Sequence, residues 1–227
     1  MPTVGVFSGP ALGGKTTWSK RIVSLPEFAG AVMVRADDIR DQNWKGRKIH
    51  PVEADLIYEF TRMEIKRLLV VDRVETVIVE MPLRERALHQ SPLAKMALSA
   101  RMYLRKLSDD QNLQVNLRVV LLYADLPVIA ERVRRRIEQL RGTGGMVYGM
   151  DTYLWTAERY QRPIAYEPLA LDTSDESPEN KKKLQEAIVG FLLSGTRPAM
   201  SMGTLDHAMR VFADAREEAQ NRGLESH

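Results

Sequence analysis

Gly9-Pro10-Ala11-Leu12-Gly13-Gly14-Lys15-Thr16 is the stretch that decides the fold. It fills the pattern G-x-x-x-x-G-K-[ST] at every fixed position. In front of it, residues 3–8 (TVGVFS) read as a buried strand. Behind it, residues 15–24 (KTTWSKRIVS) read as a helix that stops before Pro26. A strand, a glycine-rich turn and a helix, in that order, are what a phosphate cradle requires. Gly9, Gly13 and Gly14 let the backbone curl so that successive N–H groups face an anion. The helix N-terminus, at Lys15, Thr16 and Thr17, adds its partial positive charge. Lys15 then reaches the β- and γ-phosphates, and the Thr16 hydroxyl ligates Mg²⁺. The loop therefore predicts a site for ATP and Mg²⁺.

Working outward, short β-branched runs alternate with longer helical patterns. Strands are expected at 31–35 (AVMVR), 75–81 (ETVIVEM), 117–124 (LRVVLLYA) and 168–172 (PLALD). Helices are expected at 52–70, at 91–107 behind Ser91-Pro92, from Asp125-Leu126-Pro127 to about Leu140, at 151–161, and at 178–193 behind Ser177-Pro178. Strands separated by helices imply βαβ crossovers and a parallel sheet covered on both faces, an α/β fold.

The chain has 227 residues, room for one domain of about 100–200 residues and an appendage. Residues 1–195 are expected to form the phosphate-loop domain, with a lid at about 132–162, and residues 196–227 a helical tail. In the tail, Leu205, Met209 and Phe212 form a narrow apolar stripe. It reads as a helix packed on the core, or as a homodimer contact. With 44% hydrophobic and 28% charged residues, wholesale disorder is excluded. The absence of Cys removes thiolate catalysis, Cys-ligated zinc and iron–sulfur clusters together, and four scattered His argue against a His-rich metal centre. No run approaches the roughly 18 apolar residues of a membrane span, and the N-terminus lacks a signal-peptide pattern. A cytoplasmic protein is expected.

Lys plus Arg is 33 against 30 for Asp plus Glu, a net +3, which neither demands nor excludes a nucleic-acid partner. The distribution is more informative. Residues 84–106 carry six basic residues against Glu85, and 131–141 carry five Arg against two Glu. The tail is slightly acidic, with four Arg against five acidic residues.

Chemistry beyond the loop comes from three places. Arg35-Ala36-Asp37-Asp38-Ile39-Arg40 follows the second strand, and the carboxyl ends of such strands line the ligand crevice. Asp37 stands where a carboxylate could orient an acceptor hydroxyl and take its proton. Arg40, one helical turn on, suits an anionic group of the acceptor. The bland alternative is an N-capping Asp pair with a surface Arg, and Asp37 and Asp38 could divide the two tasks. Glu80 ends the third strand at the Walker B position, where a carboxylate holds Mg²⁺ directly or through water. In some phosphate-loop kinases that position supplies the base instead. Arg132 and Arg136 share a helix face at i and i+4. Their like charges invite an anion between them, and the glycines at 142–149 fit a hinge. Solvated basic residues are the alternative there. Trp44, within a basic stretch that runs to His50, suits a stacked base and a phosphate backbone, and Arg84 adds charge on the same side.

With these residues in place, the chain resembles the small phosphate-loop kinases of the polynucleotide kinase and zeta-toxin group, phage polynucleotide kinase domains in particular. That family carries G-K-[ST]-T-W, matched by Gly14-Lys15-Thr16-Thr17-Trp18, and R-D-D-x-R after a strand. Here Asp37, Asp38 and Arg40 stand, and Ala36 replaces the first Arg. At the third strand the family often has D-x-N, whereas this chain has Glu80-Met81-Pro82. The resemblance covers roughly residues 3–172. It implies a P-loop NTPase three-layer sandwich with a five-stranded parallel sheet of order 2-3-1-4-5. It implies Asp37 as general base, Arg40 as a ligand of an acceptor phosphate, and a lid Arg best matched by Arg136 and next by Arg132.

A GTPase switch is disfavoured, because no N-K-x-D run follows a strand, and the chain is too short for an AAA+ module. The leading expectation is an ATP-dependent kinase acting on a hydroxyl of nucleic acid, either a 5′ end or a hydroxymethylated base. The alternatives are a small-molecule kinase, for a nucleoside, nucleotide, sugar or antibiotic, and a non-kinase ATPase acting through a partner.

Overall fold

A computed structural model of the chain describes residues 1–45, 51–82, 115–141, 149–158, 160, 167–198 and 202–224. Arg84, the expected helix at 91–107, the basic stretches 46–50 and 84–106, and Gly142, Gly144 and Gly145 lie outside the described residues.

Five strands form one parallel sheet in the order β2-β3-β1-β4-β5. They are β1 (Thr3–Ser8), β2 (Val32–Arg35), β3 (Thr76–Glu80), β4 (Asn116–Tyr123) and β5 (Leu169–Asp172). Buried on both faces, the central strands are continuous apolar runs, as the sequence suggested. The alternation of side chains assigns each face. Val4, Val6, Val77, Val79 and Val119 face helices α2 (Ala36–Trp44) and α3 (Pro51–Val70). Phe7, Ile78, Val120, Leu122 and Leu171 face α1 (Lys15–Val23) and α6 (Pro178–Ser194) on the opposite side. Between them in sequence lie α4 (Leu126–Leu140) and α5 (Met150–Ala157). The three-layer order and the strand order agree with expectation. α2 has no counterpart among the elements expected from the sequence.

The tail forms α7 (Leu205–Asn221), and it is not a loose appendage. Ala208, Val211, Phe212, Ala215 and Ala219 are buried among Leu121, Tyr123, Ile129 and Leu154. Of the two readings of the tail stripe, packing on the core and a homodimer contact, the structure shows the first: the same chain covers the apolar face. The tail approaches the sheet edge at Gly203, where φ is +148° and an added Cβ would lie 2.6 Å from the Asp172 nitrogen. Asp172 N–H donates to the Met202 carbonyl at 2.9 Å. His207 then sits between Asp125 at 3.6 Å and Asp172 at 3.7 Å, with the Tyr123 hydroxyl 3.2 Å from its Nδ1. No helix among the described residues is long and apolar enough to cross a membrane.

Candidate active site

The loop leaves the end of β1 and closes on the N-terminus of α1. Two glycines are required sterically. Gly9 has φ +141°, and a Cβ there would lie 2.1 Å from the Leu122 carbonyl oxygen of β4. At Gly13 the corresponding distance to the same oxygen is 2.9 Å. Gly14, at φ +97°, is the residue that starts α1. Lys15 arches back over the loop, and its Nζ donates to the Gly9 and Pro10 carbonyls at 2.8 Å each. A phosphate is a stronger partner for an ammonium than a neutral carbonyl is.

Thr16 begins the second link. Its hydroxyl donates to Glu80 Oε1 at 2.5 Å. Strand register explains the meeting: Glu80 pairs with Phe7 of β1 on one side and with Arg35 of β2 on the other. Glu80 is only 6% exposed, so its carboxylate needs partners. Arg35 supplies one, donating Nε to Oε2 at 3.0 Å. Burial works against the Arg35 charge, but the hydrogen bond and charge of Glu80, with Asp38 and Asp37, raise its pKa above the ordinary value. A hydroxyl and a carboxylate side by side at the first turn of α1 are an all-oxygen donor pair that suits Mg²⁺. Thr16 and Glu80 therefore fit the ion that the loop implies.

The third link runs from Arg35 to α2. Its Nη1 donates to Asp38 at 2.8 Å. α2 begins immediately after β2, with Arg35 as its cap residue, so Asp37 and Asp38 fall in the first turn. Acidic residues are favoured there by the helix dipole. Neither caps the helix, which removes the N-cap reading of the pair. Asp37 accepts from Arg40 at 2.7 Å, and Arg40 also reaches Asp41 at 2.9 Å. A continuous chain of polar contacts thus joins Thr16 to Glu80, Arg35 and Asp38 in the turn that carries Asp37.

Two expectations need correction. Trp44 is 8% exposed and packs against Phe60 with ring centroids 6.1 Å apart. Its indole belongs to the α2–α3 contact and offers no open face for a base. Arg132 is not a free lid cation. It donates to the Leu12 carbonyl at 3.0 Å, to the Thr173 hydroxyl and carbonyl, and to Glu176 at 2.9 Å. An anion was expected between Arg132 and Arg136; instead carboxylates of the chain serve this helix, Glu176 binding Arg132 and Arg135, and Glu131 and Glu138 binding Arg134. The Arg135 hydrogen bond, helped by Arg132, holds the Glu176 carboxyl below its usual range. Arg136 is exposed on α4.

Arg35, Thr156, Tyr160, Thr173 and Glu176 were missed by sequence reasoning. Arg35 alone left a signal, a charge closing a strand beside the Asp pair.

No protein-family model matches the sequence, and no curated protein matches it. Solved structures do. A candidate kinase of Chloroflexus aurantiacus shares 15% identity at a TM-score of 0.56, over 82% of this chain and 95% of that one. The Deinococcus radiodurans tunicamycin resistance protein shares 17% identity at 0.53, over 87% and 99%. The Mycobacterium tuberculosis APS kinase, solved with AMPPNP and APS, shares 17% identity at 0.50, over 82% and 96%. At these identities the likeness is one of fold.

Proposed function

We propose that the chain is an ATP-dependent phosphotransferase that delivers the γ-phosphoryl group to a hydroxyl of a small molecule. The observation that carries the reading is the contact chain from the phosphate loop to the acceptor turn: Thr16 to Glu80, Glu80 to Arg35, Arg35 to Asp38, beside Asp37. Glu80 alone would serve the metal of a nucleotide site; its link through Arg35 to the acidic first turn of α2 is what points to a second substrate.

In the reaction, Lys15 leaves the Gly9 and Pro10 carbonyls for the β- and γ-phosphates. Thr16 and Glu80 would hold Mg²⁺, which when bound neutralises charge on the β- and γ-oxygens. Asp37 orients the acceptor hydroxyl and takes its proton as the acceptor oxygen–phosphorus bond forms and the β,γ-bridging bond breaks. ADP leaves. Arg40 is the cation beside the acceptor.

The described ledge favours a small acceptor. Its two arginines, Arg35 and Arg40, are matched by Asp37, Asp38, Asp41 and Glu80, and Trp44 is buried. That is no track for a polyanion. The solved neighbours include a protein described as a sugar kinase and an APS kinase. Nucleic acid is the second reading, carried by the charge of residues 84–106. The test supplies γ-labelled ATP with sugars, nucleosides, amino-sugar antibiotics, 5′-OH oligonucleotides and hydroxymethylated DNA. Label on a small molecule is expected. Label on polymers alone supports the second reading, and hydrolysis without transfer to any acceptor contradicts both.

A further inference from the structure

The phosphate loop is held from one side by side chains that none of the steps above uses. The Tyr160 hydroxyl accepts the Gly9 N–H at 2.9 Å, and the Thr156 hydroxyl accepts the Ala11 N–H at 3.1 Å. The Thr156 hydroxyl in turn donates to the Tyr153 carbonyl at 2.9 Å. Arg132 takes the Leu12 carbonyl at 3.0 Å. Tyr160 and Thr156 are 4% and 6% exposed. Between them, these side chains hold backbone groups of Gly9, Ala11 and Leu12, the turn that must keep φ +141° at Gly9 and φ +62° at Leu12.

The same residues are backed by the C-terminal helix. The Tyr160 ring lies on Phe212 of α7 with centroids 5.2 Å apart. Phe212 is 1% exposed and meets Tyr123 of β4 edge-on at 6.5 Å. Arg216 of α7 donates to the Glu158 carbonyl, between Thr156 and Tyr160, at 3.3 Å. A line of contacts therefore runs from the tail through Tyr160 to the first glycine of the loop.

We propose that Thr156 and Tyr160 are positioning residues of the phosphate loop, and that α7 is the brace that keeps Tyr160 in place. The inference rests on the reading of the loop as an ATP site. Its physical content is preorganisation. A loop already curled binds without the ordering cost that a wandering loop adds to the dissociation constant. The buried Gly9 N–H and the part-buried Ala11 N–H, anchored by side chains, keep it curled, because a donor left unpaired away from water is costly. These residues do not touch the reacting atoms, so their loss weakens nucleotide binding and leaves the chemical step in place.

The experiment measures Mg·ATP binding by calorimetry, thermal unfolding, and KM against kcat, for wild type and for Tyr160→Phe, Thr156→Val, Thr156→Ser and Phe212→Leu. Tyr160→Phe and Thr156→Val are expected to weaken ATP binding about tenfold each, the loss of one anchoring hydrogen bond. Thr156→Ser, which keeps the hydroxyl, stays within about twofold of wild type, and kcat changes less than about twofold in all of them. Phe212→Leu weakens binding about threefold, and its effect does not add to that of Tyr160→Phe, because both act through one contact. A fall in melting temperature with unchanged affinity, equal behaviour of Thr156→Val and Thr156→Ser, or full additivity of Phe212→Leu with Tyr160→Phe overturns the inference alone. A wild-type protein that binds no ATP overturns it together with the site reading.

Discussion

Gly9→Ala is the sharpest perturbation the fold offers. A Cβ at Gly9 falls 2.1 Å from the Leu122 carbonyl oxygen, where ordinary contact begins at 3.4 Å. Loop and strand must separate by roughly 1.3 Å to reach ordinary contact. Leu122 is fully buried, and β4 is hydrogen-bonded to both β1 and β5, so the loop is the part that moves. The φ of +141° at Gly9 adds strain of about 1–3 kcal/mol for any residue with a side chain. Strain and displacement together cost about 3–5 kcal/mol, near the top of the range for single substitutions. In a chain of this size that is a fall in melting temperature of roughly 10 °C. The displaced loop also loses the Gly9 N–H bond to Tyr160 and the Lys15 bond to the Gly9 carbonyl, so Mg·ATP affinity is expected to fall about a hundredfold. Thermal unfolding by circular dichroism and calorimetric ATP binding measure both effects. Gly190→Ala is the control. It lies inside α6 with nothing within 4 Å of the added Cβ, and it should stabilise the protein by about 0.5–1 kcal/mol. A Gly9→Ala protein that melts within about 2 °C of wild type and binds ATP equally well would refute the close approach and the loop geometry built on it.

Other outcomes follow from the same contacts. Glu80→Gln keeps the shape but removes the charge beside Thr16, and the Mg²⁺ concentration needed for half-maximal activity should rise about 10–100-fold; an unchanged requirement assigns the ion elsewhere. Asp37→Asn should lower kcat at least a hundredfold with ATP affinity unaltered, and full activity in that variant would shift the base to Glu80. Glu176 has a carboxyl held below the ordinary 4.5, by the Arg135 hydrogen bond first and by Arg132 as well. A lowered folded-state value stabilises above the unfolded value and is lost as pH falls through the folded one. Glu176→Gln should therefore cost about 2 °C in melting temperature at pH 7, and the difference should close on the acid side of pH 4.5. A difference that does not shrink at all as the pH is taken below 4.5 contradicts the assignment.

The sheet was legible because each of its strands is centred on a short apolar run next to a turn signal, and the phosphate loop because its chemistry needs particular residues at particular spacings. Glu80 was legible for the same reason: it is a charge at the end of an otherwise apolar strand. What escaped were contacts between segments far apart in sequence. Trp44 beside Lys45 and Arg47 looked like a stacking platform, but a single aromatic at the end of a short helix is more readily covered by the next helix, and Phe60 covers it. Arg132 looked like a lid cation, because the partners that neutralise it, Glu176 and the Leu12 and Thr173 carbonyls, come from two other loops. Thr156 and Tyr160 carry no motif; only the folded chain brings their hydroxyls to the amides of Ala11 and Gly9, about 150 residues upstream. The tail stripe at Leu205, Met209 and Phe212 revealed an amphipathic helix without showing which surface it covers.

In the proposed function Gly9–Thr16 cradles the phosphates of ATP while Thr16 and Glu80 hold the metal. A crystal structure with Mg²⁺ and a non-hydrolysable ATP analogue tests it most directly. The β-phosphate is expected against the N-terminus of α1, with Lys15 Nζ released from the Gly9 and Pro10 carbonyls and bound to phosphate oxygens, and the ion on the Thr16 hydroxyl with Glu80 beside it. A nucleotide seated elsewhere, with Lys15 still on those carbonyls and Thr16 still on Glu80, would contradict it.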